Sequence, residues 1–199
     1  MNDSLLTAIK NRRSYYSITS QSPISDEEIE NILKECLLHI PSAFNSQSTR
    51  FVLLLGDNHK KLWDITKEFL RKRISEDKFP STESKMNAFA AGYGTVLFYE
   101  DQGVVEKLQD LFPSYKDNFP VWSDHTSAMH QFAVWTMLTD RGLGASLQHY
   151  NPLIDQEVQE QWNINPNWKL IAEMPFGLPV KTPGNKDSLP MEDRLLVFK

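Results

Sequence analysis

Cysteine is almost absent from this chain of 199 residues: Cys36 stands alone. One cysteine excludes an internal disulfide and suits a reducing cytoplasm. No long basic run is present, the formal net charge is -5 and the sequence pI is about 5.5, which makes nucleic acid an unsuited partner. The longest uninterrupted apolar run in the core strands is Phe51 to Leu55, far short of the ~20 residues a membrane span needs. The N-terminal stretch MNDSLLTAIKNRR has an acid at position 3 and no long apolar centre, so it reads as a short amphipathic helix and not as a secretory signal. There is no internal repeat and no low-complexity linker. KTPGNKDSLP, Lys181 to Pro190, is the most loop-like part.

Several chemical signatures are missing too. RGLGASL, Arg141 to Leu147, offers Gly-x-Gly but follows a helix, precedes a strand and lacks a third glycine, the reverse of a dinucleotide fingerprint. No Walker loop and no Gly-x-Ser-x-Gly elbow occurs. His39, His59, His125, His130 and His149 have no metal-ligand spacing, and His125 and His130 do not share a helix face. Hydrolase chemistry and a structural metal have no support.

With 40% of residues in the hydrophobic set and 11% aromatic, the chain can build one domain over 1–199 with a full core. Ser25 to Ile40 is the clearest helix. Ser25 and Glu28 form a capping box, and Ile29, Ile32, Leu33, Cys36, Leu37 and Ile40 recur at helical spacing. Cys36 on that face reads as an inert core thiol. Helices are further expected over 58–73, in the second half of 74–91, over 104–112 and over 123–141, the last ended by Gly142 as a left-handed cap. The FAVWTML half of that long helix is apolar on most sides, which suggests a subunit interface. Strands are expected at 50–55, 94–100, 145–150 and 168–174, with a possible last one at 195–198. Asn151 is expected to cap a helix that starts at Pro152. Helices and strands mix without a βαβ rhythm, so the fold class is α+β, one sheet flanked by helices.

Two motifs carry chemistry. In NRRSYY, Asn11 to Tyr16, the cations at a helix end are either solvated charges or a phosphate clamp made by forked guanidinium donors and the Ser14 hydroxyl. In PSAFNSQSTRFVLLLG, Pro41 to Gly56, a loop of small polar residues precedes a core strand. Its carboxamides either satisfy turn backbone or recognise a planar group that both donates and accepts hydrogen bonds. His149 reads foremost as a hydrogen-bonded strand residue, and His130 as helix surface or interface. Phe44, Phe89, Tyr93, Phe112, Tyr115, Phe119 and Trp122 are core or a stacking pocket, with 112–122 suited to an irregular pocket wall.

RRS near residue 12, PISDEEIENILKECL, PSAFNSQSTRFVLLLG, RGLGASLQHYNP and EMPFGLPV, in that order, resemble the FMN-dependent nitroreductase family. The likeness spans nearly the whole chain and is nearest the small bacterial and fungal members similar to the fatty-acid-repression proteins of yeast. It implies a mostly antiparallel central sheet and a homodimer whose FMN sites are each built from both chains. NADH or NADPH would reduce the flavin, and a nitroaromatic or quinone would then be reduced at the same face. The flavin would carry the chemistry, so no catalytic side chain and no metal is assigned. By the resemblance, Arg12, Arg13 and Ser14 hold the phosphate, with Tyr16 beside them. Asn45 and Gln47 read the pyrimidine edge, and Leu147, Gln148 and His149 line the ring, mainly through backbone. Lys186 is the first choice for a second phosphate cation. The chain departs from the Lys-x-Arg pattern of larger bacterial members, so Lys181 and Arg194 stay open. A flavin-binding regulatory or redox-sensing module with little turnover is the alternative.

Overall fold

GTVLFYE is apolar without alternation, and it becomes a strand covered on both faces. This is β3, Gly94–Asp101, at the centre of a computed structural model that describes residues 4–199. The remaining strands are β1 (Ile18–Thr19), β2 (Thr49–Leu55), β4 (Gly144–Ala145) and β5 (Trp168–Pro179). The helices are α1 (Ser4–Asn11), α2 (Asp26–His39), α3 (Gly56–Arg71), α4 (Phe79–Ala90), α5 (Gln102–Leu111), α6 (Asn118–Asp140) and α7 (Asp155–Trp162). Strand order is β1-β5-β3-β2, β4 adds to β5, and these pairings are all antiparallel. Side chains on a strand alternate between faces. Val96 and Phe98 therefore join α2 and α6 in one core, while Leu97 and Tyr99 join α3, α4 and α7 in the other. The fold is α+β, a sheet between two helical layers, as the pattern implied.

The local signals of α2 are present: Ser25 Oγ accepts from Glu28 N–H at 3.2 Å, and Ser25 N–H donates to Glu28 Oε2 at 3.2 Å. Cys36 is buried, and burial, then Glu35, pushes its thiol up to about 11, which leaves it un-ionised and inert. At the end of α6, Gly142 takes φ +84°, Gly142 N–H reaches Thr139 O and Leu143 N–H reaches Leu138 O, both at 3.0 Å. That is a Schellman stop.

Five expectations need correction. α6 begins at Asn118, so 113–122 is a short 3-10 turn followed by helix; Pro120 sits in the first turn, where no N–H is required. The strand expected at 145–150 is only Gly144–Ala145 plus a single bridge from Gln148 to Glu173. Asn151 and Pro152 lie in a turn, and α7 starts at Asp155 after Ile154. Residues 195–198 form no strand, because no neighbouring strand offers them a ladder. The apolar half of α6 is largely covered by its own chain: Val134 and Leu138 are buried against α2 and the sheet, and Phe132 is the residue of that stretch left exposed. Among the described residues, no helix is long and apolar enough to cross a membrane.

β1 lies against β5 through Ile18↔Pro179 and Thr19↔Leu178. The approach is possible only because residue 177 is glycine: a Cβ there would collide with the Thr19 carbonyl oxygen and come within 3.0 Å of Tyr93 N. Gly177→Ala should cost about 3 kcal/mol, which lowers the melting temperature by roughly 6–12 °C in a chain of this size. Gly184→Ala, where nothing lies within 4 Å of the added carbon, should leave it unchanged. Thermal unfolding of the two variants checks both.

Candidate functional site

The first half of the site hangs from β5. β4 pairs with it through Gly144↔Gly177 and Ala145↔Phe176, and Ser14 bridges to Ala145 in turn, with Tyr15 N–H donating to Ala145 O at 2.9 Å. The Arg12–Ser14 motif is thereby fixed beside residues 145–149. The Arg12 guanidinium lies 4.4 Å above the Trp135 ring, and Arg13 Nη2 donates to the Gly184 carbonyl at 2.6 Å. A cavity of about 420 Å³ opens here, lined by Lys10, Arg13, Tyr15, Thr139 and Thr182 among others. None of the ion pairs among the described residues involves Lys10, Arg12 or Arg13. Burial, and then the charge of Arg13, lowers the pKa of Arg12 below its ordinary value. Two crowded cations without a counter-charge are what an anion would relieve. Trp135 Nε1, buried and without an acceptor, is a further unused donor on the residue beneath Arg12.

Residues 146–149 alternate. Ser146 and Gln148 are buried, and Gln148 Nε2 donates to Ser146 Oγ at 3.1 Å. Gln148 N–H donates to Glu173 O at 2.8 Å, and its carbonyl accepts Glu173 N–H at 3.0 Å. Gln148, expected along a ring, is thus spent on the protein itself. Leu147 is half-buried and His149 exposed, and among the described residues neither N–H has a backbone acceptor. These are the atoms of the segment still able to donate.

The second half of the site is the carboxamide loop. Phe44, Asn45 and Gln47 all have positive φ, at 55°, 50° and 49°. Asparagine tolerates that region, but phenylalanine does not adopt it without cost. The loop is held from both ends. Gln47 N–H donates to Ser42 Oγ at 3.0 Å, and Arg50 Nη1 donates to the Gln47 carbonyl at 2.6 Å while Nη2 pairs with Asp101 at 3.0 Å. Beneath it, the fully buried Glu100 carboxylate accepts hydroxyl bonds from Ser48 (2.6 Å), Thr49 (2.6 Å) and Ser123 (2.7 Å). His130 Nδ1 donates to Thr126 O at 2.9 Å and sits 3.3 Å from Thr49 Oγ1. It is a buried support of the loop and not helix surface, and burial before all else lowers its pKa. With the backbone secured, the Asn45 and Gln47 side chains stay exposed, and among the described residues they have no partner.

The strained Phe44 places its ring in an aromatic cluster. Phe112, Phe119, Tyr115 and Trp122 have centroids 4.9, 5.3, 5.9 and 5.9 Å away, Trp122 nearly parallel at 19°. Beside it is an apolar cavity of about 380 Å³ walled by Phe44, Trp122, His125 and Met129. Phe89 and Tyr93 lie elsewhere, Phe89 in the core with Trp63 at 4.8 Å.

In one chain the two halves are apart. Thr139 lines the basic cavity and His130 supports the carboxamide loop, nine positions apart on α6, or about 13 Å along its axis. Tyr16 is exposed, with its ring 6.5 Å from Phe89. Lys186 is exposed two residues beyond the Arg13–Gly184 contact, and Lys181 and Arg194 are exposed as well. The Glu100 anchor escaped the sequence reading. Its signal was a carboxylate ending an apolar strand that is buried throughout.

A profile described as the nitroreductase family matches residues 9–178. The Saccharomyces cerevisiae proteins HBN1 and FRM2 are each 33% identical to this chain, over 183 and 186 residues, with 91% of both chains covered. Among solved structures, nitroreductase CinD from Lactococcus lactis superposes with a TM-score of 0.89 in complex with chloramphenicol (39% identity) and 0.88 with 4-nitrophenol (40% identity); 98% of this chain and 99% of that one are covered. A Saccharomyces cerevisiae nitroreductase gives 0.80 at 30% identity, covering 90% and 98%. A Desulfovibrio desulfuricans protein in complex with FMN gives 0.70 at 19% identity over 98% and 96%, a likeness of fold.

Glu100→Ala should destabilise the chain by about 3 kcal/mol, since it strands three hydroxyls around a cavity. Denaturant unfolding measures the loss. Amide exchange over 42–49 should rise with it, because the carboxylate is what holds the strained loop down.

Proposed function

The chain belongs to the nitroreductase family, and from that premise we propose that it is an FMN-dependent oxidoreductase that passes reducing equivalents from NADH or NADPH to nitroaromatic or quinone-type acceptors. The observation that carries the reading is the pair of uncompensated guanidinium groups, Arg12 and Arg13, fixed by the Ser14–Ala145 bridge beside the free N–H groups of Leu147 and His149. Arginine forks fit phosphate oxygens. Ser14 adds a hydroxyl, and Lys186 on the adjoining arm adds a cation. Leu147 and His149 then offer backbone donors to the flavin ring. The carboxamides of Asn45 and Gln47 match the alternating acceptor and donor atoms of the pyrimidine edge. Bound FMN supplies the electron transfer; the chain binds it, orients it and shapes the acceptor pocket.

The second cavity supports the acceptor class. Phe44 and Trp122 present flat apolar walls, and such surfaces favour planar aromatic molecules. Chloramphenicol and 4-nitrophenol, held by the Lactococcus lactis relative, are nitroaromatics.

The site is proposed to close in a homodimer, with one copy's carboxamide loop brought to the other copy's phosphate clamp. Separation of the two halves along α6 supports this. So do the exposed apolar side chains Leu5, Leu6, Leu38 and Phe132, and the uncovered arm ending in Leu195–Phe198. Apolar surface of that extent calls for a covering partner. The lone, buried thiol of Cys36 suits a reducing compartment, and the cytoplasm is the proposed location.

Purified protein should be yellow and release about one FMN per chain on heating. Initial rates over donor and acceptor concentrations should give parallel lines, because both substrates use one ring face in turn. Recovery of FAD, or of no flavin, sinks the cofactor assignment, and intersecting lines sink the shared face. Arg13→Ala and Asn45→Ala, each inactive alone, should recover up to a quarter of the sites when co-refolded. No recovery contradicts a site shared between chains.

A further inference from the structure

Glu173, in β5, is fully buried and belongs to neither half of the site. Its backbone exchanges both hydrogen bonds with Gln148, and its Oε2 accepts Tyr150 N–H at 3.0 Å. The residue therefore grips the chain on both sides of His149. Among the described residues its other oxygen, Oε1, has no donor within hydrogen-bond distance, and the same holds for the buried Asn151 Oδ1 and Asp155 Oδ1. Three acceptors without a donor in one interior region call for an explanation. A proton on a carboxyl group supplies one, because it turns an acceptor into a donor.

We propose that Glu173 is the positioning residue of the ring-facing segment: its uncharged carboxyl group clamps the turn 148–151 from inside the core, and ionisation releases that turn. Burial, and secondarily the neighbouring Asp155, pushes Glu173 up from its usual 4.5 to about 8, although backbone N–H groups pull the other way. Among the described residues, no cation forms an ion pair with Glu173. From β3, Tyr99 faces the pair, and burial followed by Asp155 and Glu173 raises its pKa. Tyr150 is raised by burial and by Glu173. Asp155 of α7 is raised by its own burial and lowered by Lys169 of β5. From α4, Lys85 Nζ stands 5.9 Å from the Tyr150 ring centroid, and from α3, Trp63 meets that ring edge-on. Two ionised carboxylates in this setting would draw in water, which the closed turn excludes.

The direction of the pH effect is fixed by linkage. A carboxyl group whose pKa is raised in the closed state stabilises that state fully below the open-state value. The stabilisation is lost as pH rises toward the closed-state value, and nothing more is lost above it. Opening of the turn should become about tenfold more frequent per pH unit between about pH 5 and pH 8, then level off. The clamp is a property of the chain; only its service to a flavin rests on the function proposed above.

Amide hydrogen exchange at Gln148 and Tyr150, whose N–H groups are held by Glu173, tests it in the purified full-length protein, after division by the exchange rate of an unstructured peptide at each pH. Wild type should show that rise and plateau. Glu173→Gln, which keeps the acceptor for Tyr150 N–H and cannot ionise, should be protected at every pH, and Glu173→Ala at none. Exchange in wild type that does not change across this range overturns the clamp. So does a Glu173→Gln profile like that of wild type, and this comparison stands even if Glu173→Ala fails to fold. FMN affinity relative to Glu173→Gln should fall over the same range. An affinity ratio that stays constant while exchange rises overturns the positioning role and leaves only a structural one. A colourless protein would refute the flavin reading while the exchange profile still decides the clamp.

Discussion

The pairing of β5 with its neighbours is the constraint on which the site depends. β5 pairs with β3 along most of its length, with β1 at Leu178 and Pro179, with β4 at Phe176 and Gly177, and with the Gln148 bridge at Glu173. The Arg12–Ser14 motif has no strand of its own. It is placed by Ser14 against Ala145 and by β1 a few residues later, and both of those lie on β5. Gly177 lets β1 come close, and Glu173 holds the far end of the 144–150 segment. A fault anywhere on this strand would therefore reach the clamp, although none of its side chains is proposed to touch the ligand.

The carboxamide loop is built on the opposite logic. It is strained, with three positive φ angles in four residues, and it is paid for by a buried carboxylate that collects three hydroxyl bonds. A loop tied down beneath its backbone leaves its amide side chains unused. The same strain turns the Phe44 ring onto Trp122 and makes one wall of the aromatic cavity. The proposed recognition of a ring edge and the proposed acceptor pocket thus depend on one anchor, Glu100.

Much of this was legible from residues alone. The capping box, the helical spacing after it and Gly142 act locally, so α2 and the end of α6 are where the pattern puts them. β3 announces itself by a β-branched and aromatic run, GTVLFYE. β1 was not legible, since two residues carry no periodicity and exist as a strand only through Leu178 and Pro179. Residues 195–198 fail for the converse reason: they have strand composition but no ladder to join. Pro120 and Pro152 look alike in sequence, yet one lies inside a helix's first turn and the other in a turn before one. In the proposed site, the Arg12–Ser14 motif and the carboxamides stand out in the sequence as polar clusters. The Glu100 and Glu173 anchors do not, because a buried carboxylate is defined by distant partners.

The central claim is that Arg12 and Arg13 form a phosphate clamp. Equilibrium titration of the flavin-free protein with FMN and with riboflavin, which differ only by the phosphate, tests it most directly. FMN should bind on the order of 100-fold or more tightly than riboflavin, about 3 kcal/mol for a bidentate charged contact. The preference should collapse in the Arg12→Ala, Arg13→Ala double variant while riboflavin affinity stays unchanged. Equal affinities for the two flavins, or a preference that survives the loss of both arginines, would contradict the account.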